Sequence, residues 1–145
     1  MHGCCSLVVV VAVAACGSSS GAGSASTGPV AFAAQPLMTV TSNSGNLRMV
    51  VRTAPQQPPS RGLQEVELAV TDASTGAPET GLVLDVLPWM PAMGHGASIV
   101  TSVREDSPGI YVVTDVDLFM AGTWELRTNV SGAVTDYAAP SFEIP

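Results

Sequence analysis

Lysine is absent from this sequence, and charged residues make up only 12% of it. The five arginines therefore carry all of the fixed positive charge, and the formal net charge at pH 7 is -7. Nucleic-acid binding requires clustered Lys and Arg side chains that neutralise phosphates. The composition therefore argues against a nucleic-acid partner.

Long hydrophobic runs are also scarce, and the main one, Leu7 to Ala15, is too short to span a bilayer. Its length is typical of the hydrophobic region of a secretory signal. The end of this run and the cysteine after it, Val13-Ala14-Ala15-Cys16, resemble a bacterial lipobox. The sequence departs from a usual signal in that no Lys or Arg precedes the run. We therefore predict a lipoprotein signal peptide at residues 1–15 and a lipid on Cys16, through which the mature protein is anchored to a membrane.

Cysteine is almost as rare, because the sequence has only three. Cys4 and Cys5 would leave with the signal peptide and Cys16 would carry the lipid, so the mature domain is expected to have neither thiol nor disulfide. The alternative, a cytosolic protein with three scattered thiols, gives the Val-rich run no role.

Residues 16–36 hold Cys16 and a Gly/Ser-rich stretch typical of a flexible linker. The sorting rules for lipoproteins imply that Gly17 and Ser18, in place of an acidic pair, favour the outer membrane. We expect a protein of the cell envelope, with its domain facing the periplasm or the exterior.

From residue 37 to 145 the sequence has the pattern of an all-β domain. Seven segments alternate or run apolar for strand lengths, and Pro, Gly, Asp and Ser separate them. The segments are 46–53, 64–71, 82–87, 98–104, 109–116, 123–130 and 139–144. This pattern predicts a single immunoglobulin-like antiparallel β-sandwich of about seven strands.

The stretch PWMPAMGHG, residues 88 to 96, holds candidate metal ligands. A thioether is a soft neutral donor that suits Cu(I), and an imidazole can lose its proton near neutrality. Met90, Met93 and His95 are the candidates within this stretch. If the strands are lettered A to G, the stretch is the C–D loop and residues 117–122 form the E–F loop at the same end of the sandwich, which adds Met120.

The neighbours of these candidates have predicted structural roles. Pro88 and Pro91 favour an extended or polyproline form, in which positions three apart face the same way. This form would align the two sulfurs, and Gly94 and Gly96 would let the histidine fold back towards them. Trp89 would shield the ion or offer it the face of its ring.

A second interpretation of the same stretch is structural. Methionine fills irregular gaps in cores, and two of them at the end of a sandwich would close the core. Gly122 and Trp124 are interpreted as the tight turn and first inward aromatic of the sixth strand, with structural roles. The mature chain has a single histidine and no phosphate-binding glycine loop, so we predict no enzyme activity.

The run PWMPAMGHG, followed by PGIYVVTDVDLFMAGTWEL, resembles the YtkA-like domain, a small envelope β-sandwich related to the FixH family. The resemblance covers Pro88 to Leu126, with a looser match back to about Asn46. The family pattern M-x-x-M-x-H-G falls on 90 to 96, and its G-x-W turn falls on 122 to 124. FixH-type proteins carry an N-terminal transmembrane helix, from which this chain departs.

The resemblance implies an exported or membrane-anchored sandwich whose partners are envelope metal-handling or oxidase-assembly proteins. The predicted function is accordingly a lipid-anchored, non-enzymatic protein that binds or passes copper, as Cu(I), through its Met/His loop. The alternative is a structural or protein-interaction sandwich of the envelope that holds no metal.

Overall fold

The computed structural model describes residues 30–145 and shows two antiparallel sheets packed face to face. The predicted signal peptide, Cys16 and most of the linker lie outside the described residues. Ten strands are formed: β1 (Met38–Thr41), β2 (Leu47–Ala54), β3 (Gly62–Asp72), β4 (Val83–Met90), β5 (His95–Gly96), β6 (Ser102–Ser107), β7 (Ile110–Leu118), β8 (Gly122–Ser131), β9 (Asp136–Ala138) and β10 (Ser141–Ile144). Within residues 30–145, no helix is long and apolar enough to cross a membrane.

The sheet topology confirms the predicted immunoglobulin-like sandwich. One sheet has the order β1-β2-β3-β7-β6, and the other has the order β10-β8-β4-β5 with β9 also paired to β8. If the seven predicted strands keep the letters A to G, these sheets are A-B-E-D and G-F-C, the arrangement of a constant-type immunoglobulin domain. Strands β1, β5 and β9 are short additions that the sequence pattern did not indicate.

Alternation of buried and exposed side chains places the core between the sheets. In β4 the buried positions are Leu84, Val86, Pro88 and Met90, and those between them are exposed or half-buried. Such a period of two directs one set of side chains inward. The fully buried large side chains from both sheets are Leu47, Met49, Val51, Val66, Leu68, Val70, Tyr111, Val113, Val116, Leu118, Trp124 and Leu126.

Strand β4 ends three residues later than its predicted segment, because Pro88 does not end it. The Pro88 carbonyl accepts a hydrogen bond from the Ala97 N–H at 3.2 Å, so the backbone polar groups of Pro88 point away from β8. The N–H that proline lacks would also have pointed away from β8, so its absence breaks no hydrogen bond between β4 and β8. Pro88, Trp89 and Met90 are therefore strand residues rather than parts of a loop.

Three loops meet at one end of the sandwich, as the lettering predicted. They comprise residues 55–61, 91–101 and 119–121, and they follow the ends of β2, β4 and β7. The register supports this, since Gly62 pairs with Leu118 and Ala54 pairs with Glu65. We call this the Met/His end.

The opposite end is held by a buried carboxylate. Asp136 of β9 accepts hydrogen bonds from the Ser42 hydroxyl at 2.6 Å, the Ser44 N–H at 3.0 Å and the Tyr137 N–H at 2.8 Å. Burial raises the pKa of Asp136, but these hydrogen bonds outweigh it and hold the pKa below its ordinary value. The carboxylate thus ties the β1–β2 turn of one sheet to β9 of the other.

Asp136→Asn is expected to lose about 1.5 to 3 kcal/mol of stability near pH 7, the usual worth of hydrogen bonds to a charged group. Because the folded pKa is depressed, this stabilisation is complete above the unfolded pKa of about 3.9 and disappears as the pH falls through the folded pKa. Urea unfolding at a series of pH values should show the difference between parent and variant shrinking with acid. Hydrogen bonds from Ser74 and Thr75 also lower the pKa of Asp72, to about 2. Asp72 is present in both parent and variant, so its titration does not contribute to the difference between them. A difference that stays constant with pH would contradict this role of Asp136.

Candidate functional site

A tight hairpin joins β4 to β5 at the Met/His end. The Met90 carbonyl accepts the N–H groups of Met93 at 3.1 Å and Gly94 at 3.0 Å, and Gly94 has a φ of 68°. Met90 and His95 are then directly opposed across the antiparallel pair. Opposed residues of such a pair place their side chains on the same face with Cβ atoms about 4.5 to 5.5 Å apart. The hairpin therefore brings Met90 and His95 together.

The thioether of Met90 lies inside the end of the core. Its side chain is only 4% exposed, and a Cβ added at Gly122 would lie 2.8 Å from the Met90 methyl carbon. The missing side chain of Gly122 thus makes room for this methyl group under the β7–β8 loop. Gly96 is also required by close approach, because a Cβ there would lie 2.8 Å from the Pro88 carbonyl oxygen.

The other two methionines lie on the surface of the same end. Met93, on the hairpin, is 54% exposed, and Met120, on the β7–β8 loop, is 36% exposed. The strand geometry of Met90 replaces the polyproline alignment expected for the two sulfurs of the 88–96 stretch. One thioether therefore points inward beside His95, whereas Met93 and Met120 are on adjacent surface loops.

His95 stacks on an aromatic ring of the facing loop. The rings of His95 and Phe119 are nearly parallel, 8° apart in plane with centroids 6.0 Å apart, and Phe119 meets Trp124 edge to face at 5.3 Å. Phe119 is 41% exposed. Its role escaped sequence interpretation, although it lies in the loop that was expected to share this end.

The local hydrogen bond of His95 leaves one ring nitrogen for a ligand. Nδ1 lies 3.2 Å from the Gly96 carbonyl oxygen. A carbonyl only accepts hydrogen bonds, so in this contact Nδ1–H is the donor. In the neutral ring the lone pair is then on Nε2, the tautomer that a metal ion would use.

The two tryptophans lie on opposite faces of the sheet that contains β4 and β8. Trp124 is fully buried, and its indole N–H donates to the Met120 carbonyl at 2.9 Å. Trp89 is half-buried on the outer face, where the Arg127 guanidinium lies 4.3 Å from the centre of its ring. The ring face of Trp89 is therefore occupied by a cation already, and Phe119 is the aromatic neighbour of His95.

The side-chain donors in the β4–β5 hairpin and the β7–β8 loop are three thioethers and one imidazole. Among residues 30–145, no three His, Cys, Asp or Glu side chains come together as metal ligands. Carboxylate-bound metals such as Mg²⁺ and Ca²⁺ need oxygen ligands, and Zn²⁺ sites use thiolate, imidazole or carboxylate ligands. One imidazole with nearby thioethers instead suits a soft ion such as Cu(I).

Among known proteins, this chain has a family match and a weak structural likeness. No curated protein matches the sequence. Among solved structures, a copper-bound variant of FetP from uropathogenic Escherichia coli covers 75% of this chain and 95% of its own, with 8% identity and a TM-score of 0.49. A likeness of this size carries no inference about function.

The sequence pattern of the YtkA-like family matches residues 41–129. This region holds strands β2 to β7 and most of β8, together with the hairpin, Phe119 and Trp124. The match covers more than half of the chain, which therefore belongs to the YtkA-like family.

Proposed function

We propose that this protein is a lipid-anchored, non-enzymatic protein of the cell envelope that binds Cu(I) at its Met/His end. The observation that carries the proposal is the cross-strand pair of Met90 and His95, which places a thioether and an imidazole on one face of the β4–β5 hairpin. Membership of the YtkA-like family supports a sandwich domain in the cell envelope. The resemblance of residues 13–16 to a lipobox supports the same location.

The proposed ligand set extends from this pair to the surface. Met90 and His95 are fixed by the hairpin, and Met120 and Met93 are the further donors on adjoining loops. Methionine side chains are unbranched and have three rotatable bonds, so the two exposed thioethers can adopt several orientations beside the hairpin pair. A thioether also keeps its donor strength in oxidising and acidic compartments, where a thiol would oxidise.

The second candidate function, a structural or protein-interaction sandwich without metal, is favoured by the burial of Met90. A methionine that is 4% exposed and fitted over Gly122 closes the core whether or not it binds metal. The stack of His95 on Phe119 likewise gives the imidazole a packing role. The two functions differ in whether the sulfurs and Nε2 share an ion.

Cu(I) titration distinguishes the two functions. Thiolates are themselves Cu(I) ligands, so the protein is prepared without residues 1–15 and with Cys16→Ser, which leaves no thiol in the sequence. We expect one equivalent of Cu(I) to be retained in competition with a chromogenic chelator under reducing conditions. Competition no stronger than that of a thioether-free control protein would leave the structural function.

The Cys16→Ser change in the full-length chain tests the anchor. We expect the variant to fold normally but to leave the membrane fraction, because the apolar run before Cys16 is too short to span a bilayer. Fractionation of cells that express parent and variant measures this, and Ser18→Ala is the control that should stay with the membrane. Membrane retention of the cysteine variant would contradict lipid anchoring.

A further inference from the structure

The chain enters the sandwich at the Met/His end. The N–H of Leu37 donates to the Val51 carbonyl, and β1 then runs from this point antiparallel to β2. Residues before Leu37 therefore continue towards the end of β2 at Ala54. The Gln57 side chain, in the loop after β2, donates to the Gln35 carbonyl at 2.7 Å and holds this segment in place.

The first described residue, Val30, is at this end as well. Val30 lines a cavity of about 310 Å³ with Pro55 and Leu63, and Leu63 follows Gly62, the residue paired with Leu118. A second cavity of about 430 Å³ lies over the middle of the outer face of the same sheet and is lined by Val30, Phe32, Ala33 and Ala34. The chain that leads back to Cys16 thus departs from the part of the sheet next to the Met/His end.

The length of chain between Val30 and Cys16 is small compared with the domain. It amounts to 14 residue steps, for which a Gly/Ser-rich composition predicts a mean span of about 20 Å. The 11 residues of β3 extend from the Met/His end to the opposite end, about 35 Å at the usual rise of a strand. A lipid on Cys16 would on average be nearer to the Met/His end than to the opposite end.

Exposed apolar side chains are also concentrated at this end. Leu63, Met93, Phe119 and Met120 are all more than a third exposed there, whereas Val83 is the large apolar side chain exposed near the opposite end. Contiguous exposed apolar surface is typical of protein or membrane contacts. Such side chains gain free energy when they reach the interfacial region of a bilayer.

We propose that the Met/His end faces the lipid surface of the membrane that carries the anchor. This inference rests on the lipid anchoring in the proposed function, but it does not depend on copper. The exposed apolar side chains would contact the headgroup region of the bilayer itself. The short stretch between Cys16 and Val30 keeps this region within reach. Any metal held at this end would be exchanged at the membrane surface.

The test uses the full-length lipidated protein in phosphatidylcholine vesicles that contain a headgroup-labelled acceptor lipid and no other protein. Single cysteines are introduced by Ala92→Cys, on the hairpin at the Met/His end, and by the matched Ala73→Cys, on the β3–β4 turn at the opposite end; both alanines are exposed. Each is labelled with the same donor fluorophore. We expect energy transfer to the lipid to be at least about twofold higher from position 92, because about 35 Å of strand separates the positions.

Equal transfer from the two positions, or higher transfer from position 73, would overturn the proposed orientation. Loss of the protein from the vesicles would overturn it too, because it would remove the anchor. A second set of vesicles also contains a membrane protein, and higher transfer from position 92 only in that set would show that a protein, and not the lipid surface, contacts this end. The assay contains no copper, so these results are independent of the Cu(I) titration, which tests the metal site alone.

Discussion

Trp124→Ala is expected to lower the free energy of unfolding by about 3 to 5 kcal/mol, the usual cost of truncating a large buried aromatic side chain. The indole is fully buried, donates its N–H to the Met120 carbonyl and meets Phe119 edge to face. Its removal opens a cavity and leaves the β7–β8 loop without its hydrogen bond. Without a disulfide in the described residues, a domain of this size has few kcal/mol to spare, so the variant should be largely unfolded near body temperature.

Trp89→Ala is the matched control for this prediction. Trp89 is half-buried on the outer face of β4, and its main partner is the Arg127 guanidinium. Loss of an exposed cation–π contact costs about 0.5 to 1 kcal/mol, so this variant should remain close to the parent. Each variant keeps one tryptophan, whose fluorescence reports urea unfolding. Similar losses in the two variants would contradict the assignment of Trp124, and not Trp89, to the core.

Most of the fold was predictable from local pattern. Alternating apolar residues and Gly/Pro-rich turns indicated all seven principal strands, because a half-buried strand has a period of two and the chain must turn between strands. The segment 98–104 was placed too early, since β6 (Ser102–Ser107) overlaps only its last three residues. Strand β5 escaped prediction, since two residues carry no periodicity. The end of β4 was misplaced because Pro88 resembles a strand terminator, and only tertiary structure shows that its missing N–H points away from β8.

The candidate site was predictable in its location but not in its geometry. Reversal of the chain at each loop placed Met120 at the same end as Met90 and His95, and this follows from strand count alone. The polyproline interpretation gave the Met/His stretch a period of three, whereas the strand imposes a period of two. That difference moves Met90 into the core, turns Trp89 to the outer face and makes Phe119 the neighbour of the histidine.

His95→Ala is expected to weaken Cu(I) binding at least about tenfold. Changes that merely disturb the second shell of a metal site already cost 10- to 100-fold in affinity, and this change removes the proposed nitrogen donor. Met90→Leu should weaken binding to a similar degree because the thioether that opposes His95 is lost. Leucine nearly keeps the volume of methionine, so the stability of this variant should change by less than about 1.5 kcal/mol. Both are measured by chelator competition, with urea unfolding as the check on folding.

The remaining methionines separate the ligand sets and supply the control. Met93→Leu is also expected to weaken Cu(I) binding clearly. Met120→Leu tells a three-ligand site from a four-ligand site: the affinity stays unchanged if the site has three ligands and falls if Met120 is the fourth. Met49→Leu deletes an equally buried thioether in β2, on the other sheet, where Met49 pairs with Val40 and Val70; its affinity should equal that of the parent. Because Met49 and Met90 are both core methionines, a loss of affinity in Met90→Leu without a loss in Met49→Leu separates ligation from core closure. Equal affinities for the parent, His95→Ala, Met90→Leu and Met93→Leu would remove the metal site and leave the hairpin as the closing end of the core.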